Sequence, residues 1–187
     1  MAPDPTAREV LLAELREHAL VIGEVTLSSG QTAQYYVDAK RALLRPEAFR
    51  AAGELIAAEA AERGATAVGG MTMGADPLAC AAIAAEAGSG LVAFFVRKER
   101  KQHGLQRWIE GPLLDPGTRC LVVEDVVTTG GSTVRAIERI KEEGLEVAGV
   151  TSVVDRLAGG ADAIEAAAGA RYRPLVTIDD LYPDRPS

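Results

Sequence analysis

The stretch Leu121-Val122-Val123-Glu124-Asp125-Val126-Val127-Thr128-Thr129-Gly130-Gly131-Ser132-Thr133 decides the fold. Cys120 to Val123 are apolar and mostly β-formers, which predicts a buried strand. Two adjacent carboxylates stand where that strand ends, a Thr/Gly/Ser turn follows, and an amphipathic helix takes over. Val134, Ile137, Ile140 and the aliphatic stem of Lys141 recur at helical spacing, with Arg135, Glu138, Arg139 and Glu142 between them. A strand that meets a helix through a Gly-rich turn leaves unpaired backbone N–H groups at the helix N-terminus, and these make an anion site. Glu124 and Asp125 repel a bare phosphate, so beside that site they require hydroxyls or a divalent cation. The stretch points to a phosphorylated sugar, with magnesium as the accompanying ion.

Working outward, 187 residues make one domain, or one domain with a small appendage, able to bury roughly 70% of its unfolded surface. Hydrophobic content of 48% and charged content of 25% are ordinary for a globular chain and exclude large-scale disorder. A net charge of −7 argues against general nucleic-acid binding, while leaving room for a local basic patch. Cys80 and Cys120 sit in apolar contexts and read as buried thiols of a reducing compartment. No Cys/His spacing suits a metal. The N-terminus lacks a basic-then-apolar signal pattern, and no run approaches a membrane span. The expectation is a soluble, cytoplasmic protein that engages neither membrane nor nucleic acid.

Strands and helices alternate along the chain. Helices are expected over residues 6–20, 46–63, 75–87, from the Gly/Ser turn to 143, and 162–168, with Thr6 as a cap, Pro46 in a first turn and Gly64 after a last one. Strands are expected over 65–68, 91–96, 119–124, 146–154 and 175–178. Alternation of this kind implies an α/β fold: a doubly wound, mainly parallel sheet flanked by helices, with ligands at the carboxyl ends of its strands. Residues 26–38 form a polar turn whose tail alternates like a short strand. Tyr35 and Tyr36 there either stack on a flat ring or pack a hairpin. The Gly69-Gly70-Met71-Thr72-Met73-Gly74 run is neither a dinucleotide fingerprint nor a Walker A loop, and reads as a second ligand turn or a tight connection.

Gly69-Gly70, Arg97-Lys98, Glu124-Asp125 and Asp155-Arg156 each follow an expected strand, which gathers glycines and charges along one crevice. From Arg97 to Arg107 there are five Lys/Arg and one Glu, a local excess of +4 in an acidic chain. Charge runs are usually solvated loops. This one, containing Gly104 and closed by Gly111-Pro112, leaves the crevice edge itself, and a basic lid there suits a polyanionic leaving group. Lysine brings a flexible point charge, arginine a bidentate fork, and histidine a proton donor near neutral pH.

The run from Glu124 to Ser132 resembles the phosphoribosyl pyrophosphate (PRPP) motif of type I phosphoribosyltransferases. The Arg97-Lys98-Glu99-x-Lys101-x-His103-Gly104 loop is similar to the catalytic loop of the orotate branch. Leu27-x-Ser29-Gly30, Tyr36-x-Asp38 and Val153-Val154-Asp155-Arg156 resemble the same branch, so the likeness covers about residues 25–156. It implies the type I phosphoribosyltransferase fold over residues 1–187, with about 1–40 forming a small N-terminal hood. It implies transfer of phosphoribose from PRPP to orotate, giving orotidine 5′-monophosphate and pyrophosphate in pyrimidine biosynthesis. By position, Thr128, Thr129, Gly130, Gly131 and Ser132 hold the 5′-phosphate, Glu124 and Asp125 face the ribose hydroxyls, and Val126 and Val127 complete the PRPP run. Arg97, Lys98, Lys101 and His103 address pyrophosphate, with Lys101, His103 and Arg97 as the catalytic set. Arg156, Thr128, Tyr35 and Tyr36 take orotate. The resemblance also implies Mg²⁺, carried mainly through PRPP and near Glu124 and Asp125, and a homodimer whose basic loop reaches the neighbour's site.

The chain departs from the pattern at Ser28 and at Thr72-Met73, where many members carry lysines, and at Leu105, where some carry glutamate. Backbone N–H groups near Gly74 are expected to serve pyrophosphate instead. Two rivals are transfer to another base and a PRPP-sensing regulator. The complete basic loop disfavours both.

Overall fold

The computed structural model describes residues 6–26, 32–99 and 107–185. The first helix, α1 (Ala7–His18), opens on a capping box: the Thr6 hydroxyl accepts from the Glu9 N–H, and the Glu9 carboxylate accepts from the Thr6 N–H. It stops at Ala19, short of the expected bound, because Leu20 starts β1 (Leu20–Thr26). That strand pairs antiparallel with β2 (Thr32–Val37), and the hairpin stands apart from the main sheet as the hood. A short α2 (Lys40–Leu43) links it to α3 (Pro46–Glu62), which has proline in its first turn and Gly64 at φ +63° beyond its end.

From there strands and helices alternate, except that three strands follow one another from Val92 to Val127: β3 (Ala67–Met71), α4 (Asp76–Ala84), β4 (Val92–Val96), β5 (Ile109–Glu110), β6 (Arg119–Val127), α5 (Gly131–Glu142), β7 (Glu146–Asp155), α6 (Gly160–Ala168), β8 (Tyr172–Thr177) and α7 (Ile178–Leu181). The six-stranded sheet has the order β5-β4-β3-β6-β7-β8, parallel throughout except for β5. The chain winds outward from β3 to β4 and then returns to β6 on the other side. Such a reversal opens a crevice at the carboxyl ends of β3 and β6, where ligands of doubly wound sheets bind.

Both faces of the sheet are covered, and β6 shows how. Its Leu121 and Val123 enter the core shared with α1, α3 and α4, while Cys120 and Val122 enter the core shared with α5 and α6. Small residues let α3 and α4 close up: a Cβ at Gly53 would lie 2.4 Å from the Ala81 carbonyl oxygen. Cys120 is fully buried, which pushes its thiol up to about 12, whereas Cys80 is only half-buried on α4.

Three strands outrun their expected ends. Gly69 and Gly70 lie inside β3, Glu124 and Asp125 inside β6, and Asp155 inside β7. The two glycines are there for contact: a Cβ at Gly70 would fall 2.0 Å from the Val123 carbonyl oxygen, and one at Gly69 would fall 2.2 Å from that of Phe94. The ligand-turn reading therefore moves to residues 72–75. Helix α4 ends at Ala84, before a 3₁₀ turn (Glu86–Gly88) that sequence spacing did not separate from it.

Candidate active site

At the end of β6 the two carboxylates part company. Glu124 is buried and accepts from the Ser132 hydroxyl at 2.8 Å and the Thr133 hydroxyl at 3.1 Å, bracing the first turn of α5 from beneath. Burial, reinforced by the neighbouring Asp125 charge against the two hydroxyl bonds, pushes its carboxyl up to about 7. Asp125 instead joins three elements. One oxygen accepts from the Val126 N–H at 2.9 Å, and the other lies 3.3 Å from the Lys40 ammonium of α2. The same carboxyl presses on the turn after β3, where a Cβ at Gly74 would sit 2.5 Å from it.

Lys40 also pairs with Asp38 at 3.1 Å. Burial pulls its pKa down, but the Asp125 and Asp38 carboxylates outweigh that, and the ammonium is held above its usual range. Lys40 was missed in the sequence. The available signal was a cation two residues beyond Asp38 and four beyond the Tyr-Tyr run.

The turn from Thr128 into α5 is shaped by main chain. Gly130 takes φ +78° as the helix N-cap, and no side chain among the described residues caps the helix, so its first N–H groups are left for a ligand beside exposed Thr129 and Gly131 and half-buried Thr128 and Ser132. Gly160 at the start of α6 backs this turn so closely that a Cβ there would lie 2.9 Å from both the Gly130 nitrogen and the Thr128 carbonyl oxygen. Across the crevice, the turn after β3 contains the cis Thr72–Met73 peptide and leads into α4. There the Thr72 hydroxyl donates to Asp76 at 2.6 Å, and the Met73 side chain is exposed.

Arg156 follows β7 and is tied down by its N–H, which donates to the Val127 carbonyl at 2.9 Å. Its guanidinium lies 5.3 Å from the centroid of the Tyr35 ring, and its buried Nε has no hydrogen-bond partner among the described residues. Tyr35 is held edge-on by Tyr182 at 5.8 Å. Tyr36, one residue on, points to the other face of β2 and is exposed. The structure thus brings Tyr35 to Arg156 and leaves Tyr36 away from it.

At the end of β4, Arg97 donates to Glu110 at 3.0 Å and to the Glu99 carbonyl at 3.1 Å, while Lys98 is exposed. Lys101, His103 and Leu105 lie outside the described residues, as does Ser28. Among the described residues no group of three or more His, Cys, Asp or Glu could hold a metal ion, and no helix is long and apolar enough to cross a membrane.

An uncapped helix N-terminus, two adjacent acids and a second turn across a switch-point crevice suit a phosphoribosyltransferase. The phosphoribosyl transferase domain family matches residues 40–167. The orotate phosphoribosyltransferase of Corynebacterium glutamicum is 50% identical over 175 residues, covering 94% of each chain. Among solved structures, the Mycobacterium tuberculosis H37Rv orotate phosphoribosyltransferase in complex with Fe(III) dicitrate superposes with a TM-score of 0.85 at 46% identity, covering 94% of this chain and 99% of that one. The same enzyme in complex with PRPP gives 0.80 at 42%, covering 94% and 98%. The chain belongs to the orotate phosphoribosyltransferase family.

Proposed function

We infer that the protein transfers the 5-phosphoribosyl group of PRPP to orotate, forming orotidine 5′-monophosphate and pyrophosphate. The observation that carries the choice of base is Arg156: a guanidinium whose buried Nε has no partner among the described residues, set against an aromatic face beside the phosphate turn. A planar ring bearing a carboxylate satisfies both, through a charge-assisted pair and stacking. In the reaction the C1–pyrophosphate bond breaks as C1 bonds to the ring nitrogen. Positive charge grows on the sugar and negative charge on the leaving group, so catalysis is electrostatic and needs no protein nucleophile.

The N–H groups from Gly130 to Ser132, with the Thr128, Thr129 and Ser132 hydroxyls, hold the 5′-phosphate. Asp125 takes the ribose hydroxyls, and Glu124 supports the turn that carries them. The backbone near Gly74 faces pyrophosphate, as do Arg97, Lys98, Lys101 and His103. A magnesium ion fits this donor set, since one or two carboxylates plus substrate oxygens are its usual ligands, and Asp125 and Glu124 are the carboxylates at hand. When bound it neutralises charge on the pyrophosphate. We also propose a cytoplasmic homodimer with shared sites, tested by sizing and by activity regained on mixing two singly inactivated variants.

The decisive measurement is loss of orotate absorbance with PRPP and Mg²⁺, with uracil and adenine as controls. Turnover of uracil or adenine in preference to orotate would overturn the reading. Lys101→Ala should lower turnover by about 10² or more while the melting temperature holds; a near-normal rate would remove Lys101 from the catalytic set.

A further inference from the structure

The turn after β7 is fastened on both sides of Arg156. Asp155, the last residue of that strand, stands opposite Val127 of β6 and Thr177 of β8. Its carboxylate is buried, and Oδ1 accepts from the Leu157 N–H at 2.7 Å, closing an Asx turn around Arg156. The buried Ser152 hydroxyl and Tyr172 phenol stand 2.6 Å apart on β7 and β8. Burial, opposed by the Ser152 bond and reinforced by the Asp155 charge, holds that phenol above its ordinary range.

Two observations set Asp155 apart from an ordinary acid beside an arginine. The carboxylate is spent on the backbone, while the Arg156 guanidinium forms no ion pair among the described residues and lies against Tyr35. Leu157 takes φ +55°, which no other non-glycine residue does among those described, and its side chain is exposed. Leucine has no preference for the left-handed region, and an exposed side chain gains nothing by burial there. The Asp155 bond is the contact that favours this conformation.

We propose that Asp155 is a positioning residue for the base: it holds the backbone of residues 155–157 in the shape that lays Arg156 against Tyr35. The inference rests on the function proposed above. The Arg156 N–H, bonded to the Val127 carbonyl at 2.9 Å, fixes one side of the residue, and the Leu157 N–H fixes the other. The long side chain then starts from one direction and has less freedom to lose when a carboxylate binds. An Asp155 that swung onto Arg156 would instead neutralise the charge meant for orotate. All of these groups belong to one chain, on the base side of the crevice.

The test uses the full chain with Asp155→Ala, Asp155→Asn and Arg156→Met. Should the aligned conformer fall to about a tenth of the molecules in Asp155→Ala, the KM for orotate rises about tenfold. A rise of about five- to tenfold is expected, with the KM for PRPP changed less than about twofold. Asp155→Asn keeps the oxygen that accepts from Leu157 and should recover most of the loss. In an Arg156→Met background, Asp155→Ala should add less than about twofold to the KM for orotate, because the group it aims is gone. Equal rises in both KM values, no recovery in Asp155→Asn, or full multiplication of the two effects overturns the inference. Exchange of the Leu157 amide hydrogen without ligands should be about tenfold faster or more in Asp155→Ala; a rate equal to the parent's overturns the inference as well. Should Asp155→Ala fail to fold, Asp155→Glu keeps the buried charge, displaces the acceptor by one methylene and is read the same way. A parent protein inactive toward orotate would sink the proposed function, while the exchange arm would still decide whether Asp155 holds the turn.

Discussion

The two ends of the crevice are built from different material. At the end proposed for the phosphate, the turn into α5 is shaped by backbone: Gly130 in the left-handed region, Gly160 packed behind it, and N–H groups that no side chain among the described residues caps. At the end proposed for the base, the groups brought together are side chains from remote elements, Tyr35 from the hood and Arg156 from the end of β7, with Tyr182 against Tyr35. A backbone site tolerates exchange of side chains but not of glycines. A side-chain site behaves the opposite way, and its specificity can change without disturbing the fold.

Arg156→Met should be the sharpest break. Losing a charge-assisted pair to the orotate carboxylate should raise the KM for orotate by about 10- to 100-fold. The KM for PRPP should stay near its parent value, and an equal rise in both would erase the division. Gly160→Ala should act in reverse. A Cβ there meets backbone at 2.9 Å, so stability should drop by about 1–3 kcal/mol and PRPP binding should weaken while orotate binding is spared. Thermal melting and separate KM values decide it.

Glu124→Gln tests a carboxylate embedded in the backbone end. Its pKa rises from 4.5 unfolded to about 7 folded, so between those values the folded state binds the extra proton. Stability then falls as pH rises through that window and levels off above about 7. Glutamine removes the slope, and the variant should gain on the order of 1–3 kcal/mol over the parent at pH 8 compared with pH 4.5. Parallel melting curves across pH would contradict the burial argument. The smallest effect should come from Tyr36→Ala, with activity within about twofold of the parent, against a loss of about tenfold for Tyr35→Ala. Equal losses would return Tyr36 to the base site.

The same division explains what could be read in advance. Gly130, Gly131 and the flanking hydroxyls are contiguous, so the phosphate end was visible as one run of sequence. The order of strands and helices was visible too, since each carries its own periodicity. The strand ends were placed early because glycines and charges read as stops, yet β3 runs on through Gly69 and Gly70 and β6 through Asp125 to Val127, with Glu124 bonded to Ser132 and Thr133 on the next element. Strand β1 was hidden by the helix before it, and β5 is only two residues long. The contacts of Lys40 and Arg139 reach partners 85 and 42 residues away, and no local pattern marks such pairs.

The outer strands of the main sheet carry a consequence for assembly. One border, β5, offers two residues, and the other, β8, carries Pro174 opposite Ser152. The parallel register aims the nitrogen at that position outward, where proline has no hydrogen to donate. A neighbouring chain therefore finds no long, fully equipped border to extend, which guards against runaway stacking at high concentration. Among the described residues, the borders of the main sheet disfavour its extension by the sheet of a second copy.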